Sequence, residues 1–277
     1  MVASTPRAVA FRTKGSSHGP ITRLVSPSDV GELIKPFVFL DRIAIAAGSP
    51  LNMGWHPHSG IATLTYILEG AATYEETNGS KGTVPTGGIE WMRASGGVWH
   101  TGGIAPGEPV RGFQLWVAMP AEVENGPTES AYIDPSRVPS IGPARLLAGR
   151  LGAEQSPVPI PSPDALTYLA VKLAAGERWT YHPPPDHGVA WLAVHTGSLG
   201  GPTPVAEGEL VVFAEGNGDV VLEAKEATEL VLGSAKKHPH DLVTGRYSVH
   251  TSREALRVGE ANIARIGKEL RGAGRLG

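Results

Sequence analysis

The sequence predicts an all-β protein made of two β-barrels or sandwiches of similar size, followed by a short C-terminal helix. Apolar runs of about four to eight residues, rich in Val, Thr, Leu and Trp, recur along the chain. Thirty-six glycines and twenty-four prolines are scattered between these runs, as turns between many short strands require. Only between Arg253 and Leu270 does the apolar spacing become helical, and there it aligns Leu256, Ile263, Ile266 and Leu270.

The clearest strand pattern lies in the first half of the chain, between Trp55 and Pro120. The segment Ile61–Leu68 alternates, with Leu64, Tyr66 and Leu68 on one face and Thr63, Thr65 and Ile67 on the other. Asn78-Gly79 predicts a hairpin turn because this dipeptide readily adopts positive φ values. Further strands are predicted at Ile89–Met92, Val98–His100 and Phe113–Met119, with a turn at Gly96-Gly97 between the first two.

The second half begins after a stretch that we interpret as a linker. Residues 121–165 are rich in Pro, Ser and Ala, and four prolines stand between Pro157 and Pro163. We therefore expect an N-terminal barrel over residues 1–135 and a second barrel with the closing helix over residues 136–277. The strands predicted for this second barrel are Tyr168–Leu173, Val189–His195, Leu210–Phe213, Val220–Ala224 and Glu229–Gly233.

Composition excludes several classes of function. The net charge of −3 gives no electrostatic attraction for nucleic acid or an anionic membrane, so neither is expected as a partner. The absence of cysteine excludes disulfides, thiolate catalysis and Cys-based zinc sites. No run of about 20 apolar residues suggests a membrane span, and the first fifteen residues lack the apolar core of a secretion signal. We therefore expect a cytoplasmic protein.

Three histidines form the candidate metal site. His56 and His58 stand two residues apart, so on an extended strand both imidazoles point to the same face. Pro57 between them favours that extended backbone. His100, after the Gly96-Gly97 turn, is the candidate third ligand, since neutral imidazoles bind iron, zinc, copper, nickel and manganese. Spacing alone leaves open that these are ordinary hydrogen-bonded histidines at a sheet edge. The other His-x-His pair, His238 and His240, is expected in a loop without a metal.

Two segments resemble the signatures of the pirin family, a group of cupin proteins with two barrels. They are His56-Pro57-His58-Ser59-Gly60-Ile61-Ala62-Thr63-Leu64-Thr65-Tyr66-Ile67-Leu68-Glu69-Gly70 and Gly87-Gly88-Ile89-Glu90-Trp91-Met92-Arg93-Ala94-Ser95-Gly96-Gly97-Val98-Trp99-His100. The segment Phe113-Gln114-Leu115-Trp116-Val117 is similar to the strand that follows them. The resemblance implies two tandem cupin barrels and a divalent metal, usually Fe²⁺, held in the first barrel by His56, His58 and His100.

One position departs from the pirin pattern. That pattern places a carboxylate two residues after the third histidine, where this chain has Gly102. Three neutral imidazoles leave a more open and more strongly charged metal, which acts as a stronger Lewis acid toward a chelating anion. A carboxylate from elsewhere stays open as a replacement, although we expect Glu69 and Glu90 at the surface or in hairpins; the candidates are Glu69, Glu76, Glu90 and Glu108.

The resemblance implies quercetin 2,3-dioxygenase-type oxygenase activity on a flavonol-like or other enolisable substrate. The alternative is a non-enzymatic regulatory protein, with an incomplete metal site that senses redox state and a protein partner in place of a small aromatic substrate. The surroundings of Gly102 discriminate the two, because an open pocket there favours an enzyme and a filled one favours a scaffold. A monomer is expected, since two barrels in one chain already imitate a dimer.

Overall fold

A computed structural model describes residues 6–49, 51–104 and 107–276, which form an almost entirely β-structured protein. Two α-helices, α1 (Val30–Ile34) and α2 (Arg253–Gly272), and two single 3₁₀ turns, Pro135–Arg137 and Pro163–Ala165, accompany the strands. The strands are β1 (Val9–Thr13), β2 (Ser16–His18), β3 (Ile21–Val25), β4 (Phe37–Ile45), β5 (Asn52–His58), β6 (Ile61–Glu69), β7 (Ala71–Glu76), β8 (Lys81–Pro85), β9 (Ile89–Arg93), β10 (Val98–Ile104), β11 (Val110–Ala118), β12 (Glu129–Ile133), β13 (Ser140–Ile141), β14 (Ala144–Leu151), β15 (Glu154–Gln155), β16 (Leu166–Leu173), β17 (Arg178–Tyr181), β18 (Val189–Thr196), β19 (Leu210–Phe213), β20 (Val220–Glu223), β21 (Thr228–Ala235), β22 (Val243–Thr244) and β23 (Val249–His250).

The predicted all-β class and the closing helix are confirmed. Every strand predicted from the alternation and turn signals is present, with ends that shift by a few residues. The Asn78-Gly79 turn joins β7 to β8, and Gly79 has the positive φ, 95°, that the turn chemistry requires. Helix α2 is capped by Ser252, whose side chain accepts a hydrogen bond from the amide of Ala255.

The interpretation of residues 121–165 as a linker is wrong for most of that stretch. Strand β12 pairs with β9 of the first half, and β14 pairs with β16 of the second half. Proline content misled the prediction because the prolines stand at turns and strand ends, where a missing amide donor removes no ladder hydrogen bond. Ser156, inside the proline-rich stretch, is buried and donates to the carbonyl of Leu147.

Two large sheets pack face to face at the centre of the molecule. One is seven-stranded, in the order β12-β9-β6-β11-β4-β3-β2, and the other is eight-stranded, running β1-β19-β18-β21-β16-β14-β13 with β15 beside β14. Their facing sides build the largest apolar cluster, which includes Trp91 and Phe113 from the first sheet and Tyr168 and Trp191 from the second. The two halves of the chain therefore share one core.

The outer face of each large sheet is covered by a smaller sheet, and the two spaces enclosed in this way differ. In the second half, the β17–β20 pair covers a space filled by aliphatic side chains such as Leu146, Leu192 and Leu232. In the first half, the sheet β5-β10-β7-β8 covers a face that carries Thr65, Ile67 and Glu90. Polar side chains from the large sheet therefore line the space in the first half, because alternation along β6 directs its apolar side toward the central core.

The first strand and the last helix each pack against the opposite half of the molecule. Strand β1 pairs with β19 in the second large sheet, and helix α2 packs on β10 and β5 of the first half. Trp99 anchors the helix by donating from its indole Nε1 to the carbonyl of Ile263 at 2.7 Å. The domain boundary between residues 135 and 136 stays a prediction. In the described part of the chain, neither helix combines the length and the apolar character that crossing a membrane requires.

Candidate metal centre

Strand pairing brings the three candidate histidines together. In the antiparallel pair of β5 and β10, His56 lies directly opposite His100, and His58 follows His56 on the same face. One ring nitrogen from each of the three lies within 4.8 Å of the others. Among the described residues, no other group of three or more His, Asp or Glu side chains comes this close. The sequence therefore identified the right cluster; that it binds a metal stays a prediction.

Backbone carbonyls orient two of the three rings. His56 Nδ1 lies 2.8 Å from the carbonyl oxygen of Gly54, and His58 Nδ1 lies 3.0 Å from that of Tyr247. Because a carbonyl can only accept, each Nδ1 must carry the proton and donate it. This tautomer leaves Nε2 of both rings with a free lone pair, which is the arrangement that metal-binding histidines usually show.

His100 has a buried ring nitrogen that a metal ion would satisfy. Its side chain is 6% exposed, and its Nε2 has no hydrogen-bond partner. A buried polar atom without a partner costs about 1–3 kcal/mol, so native proteins rarely tolerate one without a ligand or water. A divalent ion shared by the three imidazoles would satisfy this nitrogen. The residues present therefore fit a metal.

Burial keeps all three imidazoles neutral, which is the form that binds metals. Burial lowers the pKa of His56, although the bond to Gly54 acts in the opposite direction. Burial and then the neighbouring His56 lower the pKa of His58 to about 3. The pKa of His100 lies well below its ordinary range, mainly through burial and then through His58 and His56. A metal at this site would meet no competing proton near neutral pH.

The C-terminal segment 247–251 positions the site, which sequence reasoning missed. Tyr247 supplies the carbonyl that orients His58, and the next residue, Ser248, accepts a hydrogen bond from Ser59 at 2.8 Å. His250 lies 3.0 Å from Ser59 and forms an ion pair with Glu124 at 3.2 Å when protonated. No local signal links residues separated by about 190 positions, so the sequence offered no way to find this contact.

Ser59, His250 and Glu124 contact one another in the same order as the serine, histidine and acid of a hydrolase triad. Unlike the serine of such a triad, however, Ser59 is not accessible to a substrate. Ser59 is fully buried and His250 is 1% exposed, beneath helix α2. A Cβ atom at Gly259 of that helix would lie 2.5 Å from both Ser59 Oγ and His250 Nε2. No substrate can reach the serine, so this network holds the C-terminal segment against the strand that carries His58.

A cavity of about 80 Å³ lies between the seven-stranded sheet and the sheet β5-β10-β7-β8 and reaches two of the histidines. His56, His100 and Gly102 line it together with Thr65 and Glu90. Gly102 thus borders the cavity, and a Cβ atom at this position would have no aromatic ring within 4 Å. A Cβ atom there would lie 2.9 Å from the backbone oxygen of Thr73, so the strand is built around a glycine at this point.

The carboxylate candidates divide into two groups. Glu69 is half-exposed and paired with Arg111, and Glu108 is exposed, so neither faces the histidines. The expectation that Glu90 lies at the surface or in a hairpin is wrong, because its side chain is only 4% exposed. Strand β9 lies between β6 and β12, and its alternation directs Glu90 into the covered space while Trp91 enters the central core.

Only one of the two carboxyl oxygens of Glu90 has a hydrogen-bond partner. Its Oε2 accepts a hydrogen bond of 2.6 Å from Thr65, whereas its Oε1 is buried without a partner. Burial raises the pKa of Glu90 to about 7, with the Thr65 hydrogen bond opposing and the nearby Glu76 adding to the rise. Glu76 lies opposite His100 in β7, is also buried, and has a raised pKa for the same main reason. The cavity therefore holds a carboxyl group that can exchange a proton near neutral pH.

The second His-x-His pair lies in a loop, as predicted. His238 and His240 follow β21 and do not belong to the three-histidine cluster. Both ring nitrogens of His238 have backbone partners, the carbonyl of Met119 and the amide of His240, each at 3.3 Å. This histidine is therefore a structural one.

Comparison with known proteins adds independent information. The sequence profile of the family described as Pirin matches residues 20–117. A pirin-like protein from Caulobacter vibrioides is 30% identical over 233 residues, which cover 78% of this chain and 78% of that protein. A Pseudomonas aeruginosa protein, provisionally named a quercetin 2,3-dioxygenase, is 31% identical over 252 residues, covering 85% of this chain and 87% of that protein.

The similarity extends to solved structures. A quercetin 2,3-dioxygenase from Acinetobacter baumannii superposes with a TM-score of 0.85 at 21% identity, covering 94% of this chain and 98% of that one. A bacterial pirin from Escherichia coli in complex with nickel(II) gives a TM-score of 0.64 at 17% identity, covering 84% and 98%. At these identities the structures show the shared fold, and they confirm the predicted cupin architecture.

Proposed function

The chain belongs to the pirin family, and we propose that it is a metal-dependent oxygenase acting on a small enolisable substrate. One observation carries the proposal: three neutral histidines cluster together, and a cavity bordered by Gly102 opens onto two of them, His56 and His100. A scaffold that had lost its site would be expected to fill that space with side chains. The relative from Pseudomonas aeruginosa that carries a provisional quercetin 2,3-dioxygenase name supports the same reaction type.

His56, His58 and His100 would hold the ion, each through one ring nitrogen. We propose Fe²⁺, on the strength of the family resemblance. When bound, a divalent metal supplies Lewis acidity toward two chelating substrate oxygens and redox chemistry with dioxygen. The nickel(II) complex of the Escherichia coli pirin is consistent with a site of this fold that accepts more than one ion, as imidazole ligands generally do.

Glu90 would take the substrate proton. An enol or hydroxyl group in the cavity loses its proton to the unpartnered Oε1, so the substrate O–H bond breaks, an O–H bond forms on the carboxyl group, and the negative charge moves to the substrate oxygen. Thr65 fixes the other carboxyl oxygen and so holds the orientation of the acceptor. A pKa of about 7 suits a group that must both accept and return a proton near neutral pH.

The cavity size limits the substrate. Pockets for drug-sized ligands measure roughly 300–1,000 Å³, and this cavity measures about 80 Å³. We therefore favour the small members of the enolisable class, such as hydroxy-ketones of a single ring. A whole flavonol would require the walls around Met53 and Gly103 to separate. The expectations of a monomer and of a cytoplasmic location stay predictions.

Substrate binding and oxygen uptake test the proposal. Protein loaded with Fe²⁺ under anaerobic conditions is titrated with maltol, a single-ring 3-hydroxy-4-pyranone, and with quercetin, and dioxygen uptake is then followed with an electrode. We expect maltol to bind and to drive oxygen uptake that the His56→Ala/His58→Ala variant lacks. Saturating binding of maltol without oxygen uptake would contradict the oxygenase function and favour the regulatory alternative.

A further inference from the structure

A second cavity, larger than the first, lies between the two halves of the molecule. Its volume is about 340 Å³, within the range of small-molecule sites. Three stretches from distant parts of the chain enclose it with Pro36: residues 117–121 at the end of β11, residues 160–166 leading into β16, and residues 236–240 after β21. It shares none of its described lining residues with the cavity at the three histidines.

The floor of this cavity is apolar and firmly packed. Val117, Met119 and Leu166 line it and are each 2% exposed, since their backbones belong to the two central sheets or continue from them. Met119 is also fixed by its amide, which donates to the carbonyl of Gly60 at 3.0 Å. A floor anchored in this way offers a preformed surface for an apolar ligand body, so binding would cost little conformational entropy.

The rim carries positive charge without any acid among the described lining residues. Lys236 and Lys237 line the opening, and their side chains are 48% and 43% exposed. Each pairs with an exposed acid outside the cavity, Lys236 with Asp186 and Lys237 with Glu215. Exposed ion pairs of this kind contribute roughly 0–1 kcal/mol. A ligand carboxylate can therefore compete for either ammonium group.

The histidine pair completes the wall without adding a competing acceptor. His238 is 8% exposed, and both of its ring nitrogens are occupied by backbone partners. Burial lowers its pKa, so it remains neutral and adds no charge to the wall. The pair His238 and His240 thereby forms one side of a ligand-sized space.

We propose that this cavity binds a small organic acid, with its apolar ring body on the floor of Val117, Met119 and Leu166 and its carboxylate at Lys236 and Lys237. Apolar lining with a few placed polar groups is the usual pattern of a small-molecule site. The charge of the rim selects the anion over the alcohol or amine of the same shape.

Calorimetric titration of the metal-loaded chain with three matched probes tests this assignment: 1-naphthoate, 1-naphthalenemethanol and 1-naphthylmethylamine. Naphthoate should bind more tightly than the alcohol, and the amine should bind most weakly. The Lys236→Gln/Lys237→Gln variant should bind naphthoate roughly fivefold to tenfold more weakly and the alcohol unchanged. High salt should weaken naphthoate alone, because the rim charges are exposed.

Two further variants locate the site. Ala121→Trp, at an exposed lining residue, should abolish binding of naphthoate, whereas Ala153→Trp, in an exposed turn that does not line the cavity, should not. Binding should persist in His56→Ala/His58→Ala, which separates this cavity from the metal centre. Equal affinities for the acid and the alcohol, an unchanged affinity in Ala121→Trp, or loss of binding in the histidine variant would each overturn the proposal.

Discussion

Replacing Glu90 by glutamine should stabilise the metal-free protein, and the gain should grow with pH. The folded protein holds the pKa of Glu90 at about 7, against the ordinary value of 4.5. Below about pH 4.5 the carboxyl is protonated in both the folded and the unfolded chain, so it costs nothing. Above that pH the unfolded chain releases the proton first, and stability is lost until the folded group also ionises near pH 7.

The size of the effect follows from the raised pKa. Each unit corresponds to about 1.4 kcal/mol, so the ionised form destabilises the fold by about 3 kcal/mol above pH 7. Glutamine keeps the shape and can still accept the hydrogen bond from Thr65, but it never ionises. We therefore expect the free energy of unfolding of Glu90→Gln to exceed that of the parent by an amount that rises roughly 2–3 kcal/mol between about pH 5 and pH 8.

Urea unfolding of both metal-free proteins, at several pH values across this range, measures the difference directly. Titrating groups that do not interact with Glu90, the buried histidines among them, affect both proteins alike and cancel, whereas the interaction with Glu76 is part of the measured difference. Glu108→Gln, at an exposed position, serves as the control and should leave the difference near zero at every pH. A difference between Glu90→Gln and the parent that does not change with pH would refute the placement of Glu90 as a desolvated acid.

Three other substitutions test the packing around the site. Glu124→Gln removes the carboxylate that accepts hydrogen bonds from the amide and hydroxyl of Thr251 and lies beside His250, and it should cost about 1–3 kcal/mol in urea unfolding and speed metal loss to a chelator; unchanged metal release would contradict the link to His58. Gly102→Ala should cost about 1–3 kcal/mol because its Cβ meets the Thr73 oxygen at 2.9 Å, whereas Gly54→Ala, with open space around it, should be neutral; equal melting temperatures would contradict this. Within helix α2, Gly259→Ala should destabilise and Gly272→Ala should not, although alanine normally favours a helix by about 1 kcal/mol; stabilisation by both would contradict the contact with Ser59 and His250.

The features that the sequence predicted well are those encoded over short distances. His56 and His58 share a face because side chains on a strand repeat every two residues, and the turn at Gly96-Gly97 returns His100 to the neighbouring strand. Neighbouring residues likewise determine that Leu64 and Thr65 lie on opposite faces of β6. These patterns, with the pirin signatures, gave the fold class and the three-histidine cluster.

The features that the sequence did not predict depend on which surfaces meet in three dimensions. Glu90 is buried because a second sheet covers β9. The residues of β9 themselves do not indicate that another sheet packs against this face. Tyr247 reaches His58 across nearly the whole second half of the chain. Residues 121–165 were misjudged because proline content reports where strands end and not whether the intervening residues pair.

Metal content tests the central claim most directly. Untagged protein and the His56→Ala/His58→Ala variant are reconstituted with Fe²⁺, desalted and measured by plasma mass spectrometry, since a histidine tag would add its own ligands. If the three imidazoles form a metal site, the parent should retain close to one ion per chain and the variant almost none. Little metal in either protein, or equal metal in both, would contradict a metal centre at His56, His58 and His100.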